Sequence, residues 1–378
     1  MSILGEKQDD YDPMVSLIYG LKSSESRRQY PGRVRPFFEF LKLEGSLDEK
    51  AKQFWLKSKE NPRWTELNLM EFIQFQKERV KSGEISASTV PNYYKAVKLF
   101  CEMNDIILNW RKIAKGLPRA RDAADDRAPT VEEIMKLIEY PDRRIKPIVY
   151  TLASSGIRIG AFDDLKWKHI VPINDINEKT IAAKIIVYPG DSEEYYSFIT
   201  PEAFKSLKEW MDFRSSYGET ITGDSWVMRD LWKTTNITYG ANLGLASYPK
   251  KLKSSGIRRI LERALWEQGL RKPLKTGARR HEWKAAHGFR KFYKTKTEQV
   301  MKPINVEITM GHNIGLSGSY YKPTEREVLE DYLKAIDLLT VNEENRLRRI
   351  VQNLQIERNQ YERLAADVQF IKKKFKLQ

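Results

Sequence analysis

The stretch TMGHNIGLSGSYYKPTERE, Thr309 to Glu327, sets His312, in a Gly-His pair, nine residues ahead of Tyr321, the second of two adjacent tyrosines. Most of it reads as a loop. Ile314, Gly315 and Leu316 join one helix end to the next helix start, and Thr324-x-x-Glu327 has the spacing of a capping box, which predicts a helix from Thr324 to Leu339. A tyrosine hydroxyl is a weak nucleophile at its free pKa near 10 and needs neighbours that take its proton. Packing aromatics are the ordinary role for such a Tyr-Tyr pair, so the stretch acquires meaning only from its company.

Two other segments supply that company. In SSGIRIGAFDDLKW, residues 154–167, Arg158 follows Gly156 at the end of an apolar helix. An arginine at such a junction needs an anionic partner. Asp163 or Asp164 is the ordinary choice, and a bidentately gripped phosphate is the functional one. In EWKAAHGFRKFYKTK, residues 282–296, His287 and Arg290 stand three apart on a predicted helix and share a face. A proton-exchanging imidazole beside an anion-clamping guanidinium suits phosphoryl transfer. A solvated helical face is the plain alternative.

Taken in order, Arg158, His287-x-x-Arg290, Gly311-His312 and Tyr321 resemble the motif set of the tyrosine recombinase (phage integrase-type) family, over most of the chain. HGFRKF and GSYYKPTE carry a weaker resemblance to archaeal integrase-like proteins. The family resemblance implies a mainly α fold with a small β-sheet: a helical core-binding domain followed by an α+β catalytic domain. It also implies roles. Tyr321 attacks a scissile phosphate, forms a 3′-phosphotyrosyl link and releases a 5′-hydroxyl. Arg158 and Arg290 hold the non-bridging oxygens, His287 exchanges the tyrosine proton, and His312 hydrogen-bonds the same phosphate. No ATP, metal or other cofactor is implied. The partner is double-stranded DNA at a specific site, bound by a homo-tetramer on paired sites, with a monomer or dimer when free.

The chain departs from the family pattern at two positions. The family places an acidic-step lysine in the hairpin turn after the first arginine, but the turn here is YPGDSEEYY and contains none. Lys184, on the preceding strand, is the nearest candidate. The acidic residue often found three after the first arginine is Ala161 here, with Asp163 or Asp164 as substitutes. Tyr320 stays a rival nucleophile. The missing turn lysine also keeps open a catalytically inactive DNA-binding or architectural protein. A type IB topoisomerase-like enzyme would share the chemistry.

Composition agrees with a polyanion partner. The chain of 378 residues carries 66 Lys+Arg against 51 Asp+Glu, a formal charge of +15. The basic residues are spread over several segments and interleaved with aromatics, which fits a surface that tracks phosphates. One cysteine, Cys101, excludes an internal disulfide framework and fits a reducing compartment. No apolar run is long enough to span a membrane, and no secretion signal opens the chain, so a cytoplasmic, nucleoid-associated protein is expected.

Periodicity divides the chain. Residues 1–15 are polar and acidic and are expected to lack order. Residues 16–117 have helical apolar spacing and form the expected DNA-binding domain, 118–129 is a linker, and 130–340 is the expected catalytic domain. Within it, Thr130-x-x-Glu133 starts a helix, Pro147–Ser155 is a buried helix, and residues 182–200 form a strand, a turn at Pro189-Gly190-Asp191 and a second strand. Thr200 and Pro201 then open a helix as N-cap and first residue. Further helices are expected at Pro249–Gln268 and Glu282–Glu298. In 341–378, Leu347, Leu354, Tyr361, Val368 and Phe375 recur every seven residues, with Ile350, Leu364 and Ile371 in the partner positions and Glu357 as the break. This heptad pattern predicts a coiled coil or one long helix packed on its own domain.

Overall fold

The computed structural model describes residues 11–119, 126–231, 250–274 and 280–375, and the chain divides into two units, Met1–Ala124 and Asp125–Gln378. Within the first, the described elements are α1 (Pro13–Tyr19), α2 (Ser24–Phe40), α3 (Leu47–Glu60), α4 (Pro62–Lys81), α5 (Val90–Met103) and α6 (Trp110–Ala114). Their cores are aromatic. Phe37, Phe38, Phe54, Phe72 and Phe100 are all buried, and the Phe37 and Phe54 rings meet edge-on at 5.4 Å. Such pairs add stabilisation beyond the area they bury.

Order begins earlier than residue 16. Asp12 caps α1 by accepting from Met14 N at 2.8 Å, and Tyr11 Oη donates to Asn104 Oδ1 at 2.8 Å. Asn104 is fully buried and donates to Phe100 O at 2.7 Å, so its polar atoms are satisfied. Leu17 and Met14 enter the core on the same helix. The polar composition of the opening hides this short anchor. Residues 1–10 and 120–125, the latter within the expected linker, lie outside the described residues.

The second unit opens with α7 (Val131–Ile138) and α8 (Ile145–Ser155). Thr130 and Glu133 form the anticipated capping box. A three-stranded antiparallel sheet follows: β1 (Ile170–Asn174), β2 (Thr180–Val187) and β3 (Tyr195–Ile199), in spatial order β1-β2-β3. Lys184 on β2 sits between Val171 and Phe198 in the register. Then come α9 (Pro201–Ser216), capped by Thr200 Oγ1, α10 (Ser254–Glu267), α11 (Ala285–Thr297), α12 (Pro303–Thr309), the single turn α13 (Ser317–Tyr320), α14 (Glu325–Leu333), α15 (Ile336–Leu339) and α16 (Glu343–Phe375). The fold is mainly helical with one small sheet.

Three differences from the sequence reading have physical causes. β1 was not anticipated: it carries Pro172 and exposes Val171, the character of an edge strand that tolerates a missing donor. The helix expected over Thr324–Leu339 breaks at Lys334–Ala335, where the turn lets Tyr332, Ala335, Ile336 and Leu339 all bury. α10 and α11 start later than Pro249 and Glu282, and Pro249 itself lies outside the described residues.

A buried ion triad closes the chain after α9. Arg214 and Arg229 are fully buried, and Glu219 accepts from Arg214 Nε at 3.0 Å and from Arg229 Nη1 at 2.6 Å. Burial alone would raise the Glu219 carboxyl, but the hydrogen bonds from both arginines outweigh it and hold it below the usual range. Glu219→Gln therefore leaves two buried guanidinium groups short of an anion and is expected to cost about 3–5 kcal/mol. Denaturant unfolding checks this. Because the folded pKa is depressed, the triad's contribution is present above the unfolded carboxylate pKa and is lost as pH falls through the folded one. Wild type and Glu219→Gln should thus converge in stability towards acid pH. No helix among the described residues is long and apolar enough to cross a membrane.

Candidate phosphate-binding site

α8 sets the first functional residue. Every residue of it but Lys146 is buried, and it ends at Gly156, which adopts φ +62°. A Cβ there would lie 2.4 Å from the Tyr293 ring, so only glycine fits both the left-handed turn and the close approach. The turn brings Arg158 out to solvent just beyond.

Asp163 and Asp164 are committed elsewhere. Asp163 accepts from Ser254 Oγ at 3.1 Å and from Ser254 N at the start of α10. Asp164 pairs with Lys251 at 3.0 Å. Arg158 instead donates to the carbonyl of Gly311 at 3.4 Å, the long end of hydrogen bonding.

Arg290, on α11, is 6% exposed. Its Nη1 donates to Gly156 O, and its Nη2 donates to Met310 O at 3.3 Å and to His312 Nε2 at 2.6 Å. It thus ties the end of α8 to the loop after α12. Burial lowers its pKa, and the like charge of Arg158 adds to the effect. Two guanidinium groups converge on the Met310–His312 loop, and neither has a carboxylate partner among the described residues.

His312 is oriented from behind. Arg290 is donor-only, so Nε2 accepts, the ring proton sits on Nδ1, and Nδ1 donates to Glu307 Oε2. Glu307 also accepts from Lys294. Burial would raise Glu307, but the Lys294 and His312 hydrogen bonds hold it below the usual range. Gly311 precedes His312 for a steric reason: it adopts φ +63°, and a Cβ there would meet the Tyr195 ring at 2.4 Å.

Arg158, His287, Arg290 and His312 line one cavity of about 730 Å³. Its other cations are Arg258, Arg271, Arg280, Lys284, Lys291 and Lys294, against one lining carboxylate among the described residues, Glu262, which pairs with Arg271. Asp126 pairs with Lys284 at 2.8 Å and Lys291 at 3.0 Å. Burial depresses His287, with Lys284, Lys291 and Arg290 adding to the effect and Asp126 opposing it, so the imidazole is neutral and proton-accepting at neutral pH. The balance of charge in this cavity suits an anion with several oxygens.

The structure does not bring Tyr321 or Lys184 into the cavity lining. Tyr321 Oη donates to Asn305 Oδ1 at 2.9 Å, and buried Asn305 donates in turn to Asp331 at 2.9 Å. Tyr320 is 88% exposed. Lys184 pairs with Glu325 at 3.0 Å. Glu307, Asp126 and the lysines of α11 were not anticipated from the sequence. The one local signal was the basic run on the His287 helix. Among the described residues, no cluster of three or more His, Cys, Asp or Glu is placed to hold a metal ion.

No family model matches the chain, and no curated protein matches it. Among solved structures, it aligns with XerA recombinase at 18% identity over 87% of this chain and 98% of that one, TM-score 0.35. It aligns with XerH site-specific recombinase bound to palindromic difH substrate, a post-cleavage complex, at 15% identity over 84% and 93%, TM-score 0.46. It aligns with a lambda integrase dimer bound to a COC′ core site at 12% identity over 80% and 94%, TM-score 0.44.

Proposed function

We propose that this chain is a site-specific DNA recombinase that cuts and rejoins duplex DNA through a covalent 3′-phosphotyrosyl intermediate. The observation that carries the reading is the pair Arg158 and Arg290. They converge on one loop, neither with a carboxylate partner among the described residues, with His312 held against Arg290 and His287 on the same cavity wall.

A scissile phosphate placed there accepts from both guanidinium groups, which stabilise the charge that develops on its non-bridging oxygens. The Tyr321 oxygen attacks phosphorus while its proton passes to His287. The bond to the 5′-oxygen breaks, and that oxygen leaves as a hydroxyl after taking a proton. Rejoining reverses these steps, so the bond energy is conserved. Tyr321 first has to leave Asn305. The family resemblance calls for a lysine as the acid: Lys184 is the nearest candidate in the sequence, and Lys284, Lys291 and Lys294 line the cavity.

The first unit would supply further DNA contacts. The partner is duplex DNA at a specific sequence, and strand exchange between two duplexes calls for four copies on paired sites. The setting is the cytoplasm, at the nucleoid. A binding-only protein is the second reading, favoured by Tyr321 and Lys184 standing outside the cavity lining.

A suicide-substrate trap tests the proposal. Duplexes with randomised cores are selected for retention by the protein, nicked, and incubated with it in the presence of chelator. A denaturation-resistant protein–DNA adduct supports the recombinase. Stable binding without any adduct supports the binding-only protein.

Glu307 gives a finer expectation. Glu307→Gln keeps the shape but weakens the hold on the His312 Nδ1 proton. Cleavage should fall on the order of 10-fold to 100-fold, the scale found when a carboxylate that orients a metal-ligating histidine is removed. DNA affinity should stay unchanged, and single-turnover trapping measures the difference.

A further inference from the structure

α16 is fixed over its first turns, where Lys179 also donates to Gln352, and exposed beyond them. Glu202 accepts from Val341 N at 2.9 Å, Asn342 N at 3.0 Å and Asn345 Nδ2 at 2.9 Å, and Arg349 donates to Asp337 at 2.8 Å. From Val351 to Ile371 every described residue is exposed. The alternative of one helix packed on its own domain thus leaves the stripe unburied: Leu354 is 58% exposed and Leu364 61%. A helix of 33 residues draws its stability from an amphipathic face packed on something. Heptad spacing makes that something another helix.

Glu357 selects the partner and its direction. It occupies a seam position in the same row as Ile350, Leu364 and Ile371. In a parallel pair in register, Glu357 meets its own copy, and like charges repel where solvent is thin. In an antiparallel pair, the row of Leu347, Leu354, Tyr361 and Val368 faces the row that holds Glu357. Setting Glu357 opposite Tyr361 then aligns Leu354 with Leu364, Ile350 with Val368, and Leu347 with Ile371. Every layer is apolar except two, and in those two the Tyr361 hydroxyl donates to the Glu357 carboxylate. The helix is its own complement in this one orientation, and its Arg358–Glu362 pair at 2.8 Å stays within one helix.

We propose that α16 pairs antiparallel with α16 of a second copy of this chain, so that the free protein is a dimer joined outside the phosphate cavity. This does not rest on the recombinase reading.

The test uses the full chain. Sedimentation equilibrium at micromolar concentration should give a dimer, and Leu354→Asp should convert it to monomer. Cys101 is buried, so cysteines introduced on α16 are the accessible thiols. Leu354→Cys and Leu364→Cys should form a disulfide-linked dimer only when the two variants are mixed. Their like positions lie ten residues apart along the antiparallel pair, about 15 Å. A wild-type monomer, a dimer that survives Leu354→Asp, or cross-linking of either cysteine variant with itself would overturn the proposal.

Discussion

Tyr321→Phe is expected to bind DNA as the wild type does and to form no covalent adduct at all. Removal of a nucleophile from a group that acts as a unit costs about a millionfold in comparable enzymes, and phenylalanine offers no oxygen to replace it. The loss is not a folding effect. The ring keeps its place, and Asn305 keeps its bond to Asp331, so the deleted Tyr321–Asn305 hydrogen bond costs about 1 kcal/mol. Tyr320→Phe is the internal control. Its side chain is exposed, and its adduct yield should match wild type. Denaturing electrophoresis of a labelled, nicked duplex reads both variants, with filter binding to show that DNA is retained.

Arg290→Lys has the next largest expected effect. The substitution keeps a positive charge but loses the planar fork that reaches Gly156 O, Met310 O and His312 together. Lysine offers a point charge on a flexible stem, so the phosphate loses a fixed donor and His312 loses the group that holds its Nε2. Trapping rates should fall on the order of 10²-fold to 10³-fold, the usual cost of one preorganised oxyanion donor. DNA affinity should change much less, because affinity for duplex DNA is generally spread over many phosphate contacts. A loss shared equally between binding and cleavage would mark Arg290 as a structural tie between α8 and the Met310–His312 loop.

The parts of this molecule that local rules govern were legible in the sequence. Thr130-x-x-Glu133 and Thr324-x-x-Glu327 are both capping boxes in the structure, and Thr200 with Pro201 starts α9 as their chemistry requires. β1 was not legible, since a proline and an exposed valine dilute the alternation of an edge strand. Four of the proposed site residues meet at one cavity, although Arg158 and His312 are far apart in sequence, and only the order of motifs linked them. Glu307 stayed hidden because a glutamate five residues before a histidine has no signature until the α12 turn folds one onto the other. Asp126 stayed hidden because its partners, Lys284 and Lys291, come from a distant helix. The positions of Tyr321 and Lys184 depend on Asn305 and Glu325, contacts that no spacing rule encodes.

The most direct measurement is peptide mapping of the trapped adduct. The nicked duplex is trapped, the DNA is digested to a single nucleotide, and the modified peptide is sequenced by mass spectrometry. A 3′-nucleotide phosphodiester on Tyr321 is expected, with a free 5′-hydroxyl on the released strand. A modification on any other residue, or a 5′-linked nucleotide, would contradict it.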